Sequence, residues 1–232
     1  MTRVAVCHWG LLRTIETTYE SHKKHMYGVL DRAGIQYDTY VHTWFHESTP
    51  RLKLDAFKFK KLVMDDETEV FEQIDRDFSE YWYAVVYNAN GGEDSLNEWN
   101  PVMLKRHLYS LVSQKRVTQM CLDSGVQYDY VIYIRPDIEL SNDIDCRFAE
   151  MDADTIYLST EQWGSTEYVS ENDAFGIVPF SKCVQIGMRF DEAKMYRKNV
   201  GRLAPEHFCG SLVYKYFTKI LHVDQKLRIA RL

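Results

Sequence analysis

The segment YDYVIYIRPDIEL, residues 128–140, constrains the fold of this chain more than any other stretch. The apolar run from Val131 to Ile134 predicts a buried central strand. Pro136 cannot continue such a strand, because proline has no N–H to donate to a neighbour. The strand must therefore end near Arg135, and Asp137 lies at the point where it runs out.

Strands alternate with helices along the rest of the chain. We predict strands at 3–7, 37–44, 155–159 and 174–179, and helices from 14 to about 33, from 101 to about 123 and from 205 onward. Gly34 and Gly125 stop the first two helices. The first two strands are joined through a helix and are expected to be parallel. Residues 45–80 are harder to assign, apart from an acidic helix near 64–81, and 83–88 is a candidate strand. The pattern predicts one α/β domain with a mostly parallel sheet.

Composition narrows the function classes. The 232 residues are 45% hydrophobic and 27% charged, with a formal net charge of −6, which argues against a general nucleic-acid binder. No apolar run approaches the roughly 20 residues that span a bilayer, and the first ten residues do not resemble a signal peptide. The cysteines are five in number and form no C-x-x-C pair. We therefore expect a soluble, cytoplasmic protein from a reducing compartment.

Polar residues cluster where three predicted strands end. In an open α/β sheet, ligands bind beyond the carboxyl ends of the strands. If the strands are parallel, one rim collects the loop 7–13, then His42, Thr43 and Trp44, and then Arg135, Pro136 and Asp137. Within the loop, Gly10 lets the backbone approach a ligand closely. Arg13 precedes a helix start and is suited to a diphosphate, although a plain surface arginine is about as consistent with the sequence.

Asp137 is the sharpest candidate at this rim. Mg²⁺ and Mn²⁺ often bind through one or two carboxylates plus substrate phosphates. Glu139 lies two residues on, so an extended segment would place both carboxylates on one face. Arg135 could pair with a phosphate or fix the Asp137 carboxylate. The plainer alternative is that Asp137 is a turn residue after proline.

Two later segments carry candidate acid–base groups. In ENDAFGIVPF, residues 171–180, Asp173 precedes a strand and is suited to activate an acceptor hydroxyl, although Asn and Asp also favour simple turns. In PEHF, residues 205–208, Glu206 begins a helix, where a carboxylate suits the helix dipole without any function. His207 is a possible metal ligand, although a lone histidine is more often structural.

Taken in order, these pieces resemble nucleotide-sugar glycosyltransferases of the GT-A type, above all small enzymes of large DNA viruses and of bacterial surface-polysaccharide clusters. The resemblance is carried by VAVCHWGLLRTIETTYES, then VHTW at 41–44, SLVSQKR before YDYVIYIRPDIEL, ENDAFG, and the Pro205–Glu206 helix start. It covers most of the chain, with residues 45–95 the least matched. It departs from the family at Arg135, where the first Asp of a D-x-D motif is usual.

The resemblance implies a single GT-A-like domain over 1–232, with a donor-binding part at about 1–140 and an acceptor-side part at about 141–232. It implies a nucleoside-diphosphate sugar donor, a glycan acceptor and a divalent cation, Mn²⁺ or Mg²⁺. Its donor-binding residues would be Gly10, Arg13, His42, Thr43, Trp44, Arg135 and Asp137. Its metal ligands would be Asp137, Glu139 and His207. Asp173, or else Glu206, would be the catalytic base of an inverting enzyme, and a retaining enzyme would need no such base.

Two other classes of protein stay open from the sequence. A sugar- or nucleotide-binding module that has lost catalysis would explain the missing first Asp. A sugar nucleotidyltransferase would be expected to have a glycine-rich loop after its first strand, and HWGLLR is poor in glycine.

Overall fold

A computed structural model describes residues 2–45, 54, 58–79, 101–148, 152–161, 171–200 and 203–230. The strands of this part are β1 Arg3–Trp9, β2 Gln36–Trp44, β3 Lys61–Asp65, β4 Tyr130–Ile134, β5 Ile138–Leu140, β6 Thr155–Ser159, β7 Phe175–Pro179, β8 Lys219–Val223 and β9 Leu227–Ile229. The helices are α1 Ile15–His22, α2 Gly28–Arg32, α3 Thr68–Phe78, α4 Pro101–Asp123, α5 Cys183–Gly187, α6 Phe190–Val200 and α7 Pro205–Tyr216. None of these helices combines the length and apolar character needed to cross a membrane.

Seven strands form one sheet in the order β3-β2-β1-β4-β7-β6-β8. The pairs β1–β2, β1–β4, β2–β3 and β6–β8 are parallel, whereas β7 is antiparallel to both of its neighbours. The prediction of an α/β protein with a mostly parallel sheet is confirmed. β7 alone among these seven strands runs in the opposite direction, so its first residue, not its last, faces the rim where the others end.

The central strands are covered on both faces. Val4 and Val6 of β1 pack with Met26 and Leu30 beneath the first helical segment. Residues of the opposite face, such as Ala5 and Cys7, pack with the last turns of α4. This alternation follows from the two-residue period of a strand. Because both faces of the sheet are covered at its centre, side chains on both faces of β4 are buried. Val131 to Ile134 are accordingly all at most 1% exposed.

The first predicted helix contains a π-helical turn. Residues Lys23–Tyr27 form this turn between α1 and α2, and α2 is followed by Ala33 and then Gly34, whose φ is +67°. Such turns are frequent at functional sites. The helix also holds the segment after β4, because the Thr18 hydroxyl donates to the Pro136 carbonyl at 2.6 Å and His22 Nε2 lies 2.6 Å from the Ile138 carbonyl.

Several elements escaped sequence-based prediction. β3 is an edge strand with mixed exposure, so KLVMD shows neither a continuous apolar run nor a clean alternation. The two short strands β8 and β9 near the carboxyl end were also missed. The candidate strand at 83–88 lies outside the described residues. The five cysteines are all free, and four of them are buried.

Candidate active site

A cleft of about 770 Å³ opens at the carboxyl ends of β1, β2 and β4. Its walls come from the loop after β1, the end of β2, the start of α3, the first turns of α4, the segment after β4, and the starts of β7 and α7. The lining residues are Trp9, Gly10, Leu11, Arg13, Trp44, Glu67, Phe71, Val102, Lys105, Arg106, His107, Tyr109, Ser110, Arg135, Asp137, Asp173 and Pro205. The three predicted rim segments therefore meet in one cavity, because their strands are parallel.

The loop after β1 is held in a conformation that suits glycine. Gly10 has a φ of +99°, which L side chains rarely adopt. Its N–H donates to Ser113 Oγ on α4 at 2.8 Å, so the loop is anchored from behind. Arg13 is exposed on the cleft wall. Neither Arg13 nor Arg106, the exposed arginine across the cleft, pairs with a carboxylate of the described residues. Both are suited to bind an anion.

The end of β2 contributes only one side chain to the cleft. His42 and Thr43 are fully buried, and the Thr43 hydroxyl donates to the neighbouring carbonyl of Trp44. His42 Nδ1 lies 2.8 Å from Ser113 Oγ, and its Nε2 lies 3.0 Å from Asp65 Oδ2. Of the three residues predicted here to bind the donor, Trp44 alone lines the cavity.

Aromatic rings form one side of the cleft. Trp9, Trp44, Phe71 and Tyr109 all line it, and the Phe71 and Tyr109 rings meet edge to face with centroids 4.1 Å apart. The Arg116 guanidinium lies 4.9 Å from the centroid of the Trp44 ring. Such a wall offers planar apolar surface with fixed geometry, as a nucleobase requires.

Arg135 and Asp137 form a two-point ion pair at the bottom of the cleft. Arg135 Nε and Nη2 donate to the two Asp137 carboxylate oxygens at 3.0 and 2.6 Å. Asp137 is only 7% exposed. A bidentate pair fixes both groups in one plane. Two roles were predicted for Arg135, and its contacts correspond to the one that fixes the Asp137 carboxylate.

Three charged groups from later in the chain lie in the lining of the cleft or close to it. Asp173 lines it, and Arg189 Nη2 lies 3.9 Å from Asp173 Oδ2. Arg189 is 2% exposed, and its Nε and Nη2 meet no hydrogen-bond partner in the described part of the chain. Glu206 lies nearby and is partly buried. Its pKa is raised, first by burial and then by the Asp173 carboxylate. Two neighbouring carboxyls in different environments are a common arrangement for acid–base work.

The residues predicted to bind metal do not assemble around one point. Glu139 pairs with Arg228 at 2.6 Å, His207 Nδ1 lies 2.9 Å from the Tyr196 hydroxyl, and both Asp137 oxygens are taken by Arg135. Within the described residues, no group of three or more histidine, cysteine or acidic side chains could hold a metal ion. These ranges therefore contain no preformed cage for Mn²⁺ or Mg²⁺, and Asp137 is the one predicted ligand that lines the cleft.

Sequence reasoning missed residues that act from behind the cavity wall. Ser113 lies within SLVSQKR, a stretch quoted above for the family resemblance. The sequence of a helix does not reveal that the serine hydroxyl accepts a hydrogen bond from the Gly10 N–H. Arg189 was not identified from the sequence, because the sequence does not distinguish an arginine that becomes buried from one that stays on the surface. The aromatic side chains Phe71 and Tyr109 are separated in sequence and meet only in the fold.

Comparison with known proteins gives a likeness of overall structure. No protein-family model matches the chain, and no curated protein matches it. Among solved structures, the glycosyltransferase GlyE of Streptococcus pneumoniae TIGR4 is similar at 12% identity with a TM-score of 0.46, covering 97% of this chain. The apo form of GlyE gives 12% identity and a TM-score of 0.49 over 95% of this chain. The chain spans 45% of the length of either GlyE structure.

Proposed function

We propose that this chain is a GT-A type glycosyltransferase that moves a hexosyl or pentosyl group from a nucleoside-diphosphate sugar to a hydroxyl of a glycan acceptor. The observation that carries the proposal is the composition of the one cleft that collects the predicted rim segments. Aromatic rings, arginines that pair with no carboxylate in the described part of the chain, and buried carboxylates line it together.

Each part of such a donor has a matching surface. The rings of Trp44, Phe71 and Tyr109 suit a nucleobase, and Arg13 and Arg106 suit a diphosphate. A volume of about 770 Å³ lies within the usual range of about 300–1,000 Å³ for small-ligand sites. Arginine side chains that hold the diphosphate would also stabilise the negative charge that builds on the nucleoside diphosphate as it leaves.

Asp173 is the proposed general base toward the acceptor hydroxyl, with Glu206 as the alternative. Asp173 is the one of the two that lines the cleft. Arg189 Nη2 lies 3.9 Å from Asp173 Oδ2, and a general base within reach of the acceptor hydroxyl would take its proton. Glu206 lies outside the lining of the cleft, and its pKa is raised, first by burial and then by the Asp173 carboxylate.

Metal assistance stays a prediction, and no step of the proposal passes through a cation. If Mn²⁺ or Mg²⁺ is used, Asp137 would hold it together with the donor phosphates, and the ion would neutralise charge on the leaving diphosphate. For that, Asp137 would have to exchange at least one of its Arg135 contacts. The free cysteines fit a proposed site of action in a reducing compartment such as the cytoplasm.

The closed Arg135–Asp137 pair favours a second candidate, a nucleotide-sugar-binding or glycan-binding module without catalysis. Such a module would use the same aromatic wall and arginines to hold a ligand. It would have no need of a carboxylate that reaches the acceptor. The two candidates therefore differ in turnover and not in binding.

The deciding experiment incubates the protein with a panel of nucleotide sugars, with and without Mn²⁺, and follows release of the nucleoside diphosphate. Slow donor hydrolysis by wild type, and its loss in Asp173→Asn, is the expected result. Binding of a nucleotide with no release from any donor would favour the module. No binding of any nucleotide at millimolar concentration would overturn the transferase and the nucleotide-sugar-binding module, and would leave only a glycan-binding module.

A further inference from the structure

We infer that Ser113 is a positioning residue for the diphosphate end of the cleft, and that it holds the Gly10 loop through a hydrogen-bonded chain reaching His42 and Asp65. The inference rests on the proposed function and deepens it, because it assigns the shape of the anion-binding loop to side chains that do not touch the donor.

Ser113 Oγ makes three contacts at once. It accepts the Gly10 N–H at 2.8 Å, it lies 2.8 Å from His42 Nδ1, and it lies 3.0 Å from the His42 carbonyl oxygen. Ser113 and His42 are both fully buried. These contacts join α4, the loop after β1 and the end of β2, which are three separate walls of the same region.

The chain continues past His42 to a charged end. His42 Nε2 lies 3.0 Å from Asp65 Oδ2 at the end of β3, and Asp65 is in turn paired with Arg116 of α4. Arg116 also covers the Trp44 ring. The chain therefore starts at the backbone of the Gly10 loop and ends beside the aromatic wall.

The direction of each bond follows from what each atom can donate. A carboxylate accepts only, so the His42 proton belongs on Nε2, facing Asp65. Burial lowers the pKa of His42 despite the raising effect of Asp65, so the ring is neutral at pH 7 and Nδ1 is an acceptor. The Ser113 hydroxyl then donates to Nδ1, the nearer of its two acceptors, and its lone pair receives the Gly10 N–H. Every group in the chain is satisfied by one arrangement of protons.

This arrangement of hydrogen bonds fixes the conformation in which the Gly10 loop faces an anion. Gly10 has the backbone freedom to adopt many conformations, and its φ of +99° is one of them. Fixing its N–H from behind selects a single conformation before any donor binds. Preorganisation of this kind lowers the entropy cost of binding. Ser113 therefore contributes to nucleotide affinity without contacting the nucleotide.

The main test compares Ser113→Ala with Thr118→Val. Thr118 lies on the same helix and is also buried, and its hydroxyl bonds to Gln114 and Tyr133, away from the Gly10 loop. Both variants lose a buried hydroxyl, and we expect similar losses of melting temperature. Only Ser113→Ala is expected to weaken binding of a nucleoside diphosphate, by about tenfold, as the loss of one hydrogen bond implies. The probes are ADP, CDP, GDP, TDP and UDP.

A second pair of variants separates the two nitrogens of His42. Asn at this position offers a polar atom near Nδ1 and keeps the Ser113 contact, whereas Gln offers one near Nε2 and keeps the Asp65 contact. We expect His42→Asn to bind nucleotide more tightly than His42→Gln. Equal affinity of Ser113→Ala and wild type, or of the two His42 variants, would overturn the role in binding.

Amide hydrogen exchange at Gly10, followed by NMR without nucleotide, keeps the anchoring testable by itself. Exchange should be slow in wild type and in Thr118→Val, and much faster in Ser113→Ala. If Gly10 exchanges equally in all three, the chain does not hold the loop. If wild type binds none of the nucleotides, the proposed function fails and the role in binding fails with it, while the exchange rates still decide whether Ser113 anchors Gly10.

Discussion

The two ends of the cleft are built on different principles. The loop end comprises Gly10, Ser113, His42 and Asp65, and its hydrogen bonds form one satisfied chain. The charged end comprises Asp173, Arg189 and Glu206. It contains a buried guanidinium two of whose nitrogens meet no acceptor among the described residues, and a carboxyl whose pKa is raised.

The difference indicates a division of labour. A satisfied network of buried polar groups is rigid and specifies one geometry, which suits binding. A buried charged group whose hydrogen bonds are incomplete is costly to the fold and is typical of sites that handle charge during a reaction. We expect changes at the loop end to alter affinity and changes at the charged end to alter turnover.

The largest effect is expected at the charged end. Asp173→Asn keeps the shape of the side chain and removes the base, so turnover of a donor–acceptor pair should fall by about 10²- to 10⁴-fold. Donor affinity should change little, because the loss falls on the transition state. Steady-state kinetics with Glu206→Gln as the partner variant checks this. Loss of turnover in Glu206→Gln alone would exchange the two roles, and no loss in either would exclude an inverting base here.

A change at Arg13, in the loop after β1, should reduce affinity rather than turnover. Arg13→Gln removes a cation that lacks a carboxylate partner among the described residues, and nucleoside-diphosphate affinity should fall by about 10- to 100-fold, as for other hydrogen bonds to charged groups. Arg228→Gln, which removes an exposed arginine paired with Glu139 outside the cleft, is the matched control. Isothermal titration would contradict the assignment if both variants bound like wild type.

Acid should affect two buried groups, His22 and Glu206, in opposite directions. His22 and His8 are buried with rings stacked at 5.4 Å, and burial lowers the pKa of His22 to about 4. Its folded pKa is below the unfolded value, so its stabilisation is complete above pH 6.5 and is lost as pH falls toward 4. At about 1.36 kcal/mol per pH unit, His22 alone removes about 2 kcal/mol by pH 5.

His22→Gln keeps a donor for the Ile138 carbonyl but does not titrate, so its stability should depend less on pH between 7 and 5. Glu206 has the reverse sign, because its raised pKa makes its charged form unfavourable in the fold. Its penalty is relieved as pH falls through the folded pKa toward 4.5. Glu206→Gln should therefore steepen the loss of stability on acidification. Urea unfolding at several pH values measures both, and an unchanged slope in His22→Gln would show that another group dominates.

The smallest expected effect is that of the cation. Mn²⁺ should raise the melting temperature of the nucleoside-diphosphate complex beyond the shift given by nucleotide alone, since a ligand that binds only the native state stabilises it. Asp137→Asn should bind nucleotide but lose the increment. If EDTA has no effect on wild type, the arginines alone hold the diphosphate.

The strongest sequence signals corresponded to local features of the fold. β6 at 155–159 and α4 at 101–123 were predicted at the observed bounds, because apolar periodicity and Pro101 define them locally. The meeting of the rim segments at Gly10, Trp44 and Asp137 followed from parallel topology alone. What the sequence could not reveal was orientation. His42 turns inward to Ser113, and Glu139 turns outward to Arg228, because each has a partner more than 70 positions away.

The position of β7 beside β4, late in the chain, has a consequence while the protein is being synthesised. The wall that contains Gly10 and Arg135 is complete once residue 148 has been synthesised, but β4 then forms the edge of the sheet, since β7 is its partner on that side. An apolar edge strand with unpaired backbone groups invites association with other chains. A fragment ending at 148 should therefore aggregate, and the strand that brings Asp173 to the cleft is also the one that covers the exposed edge of the nascent sheet.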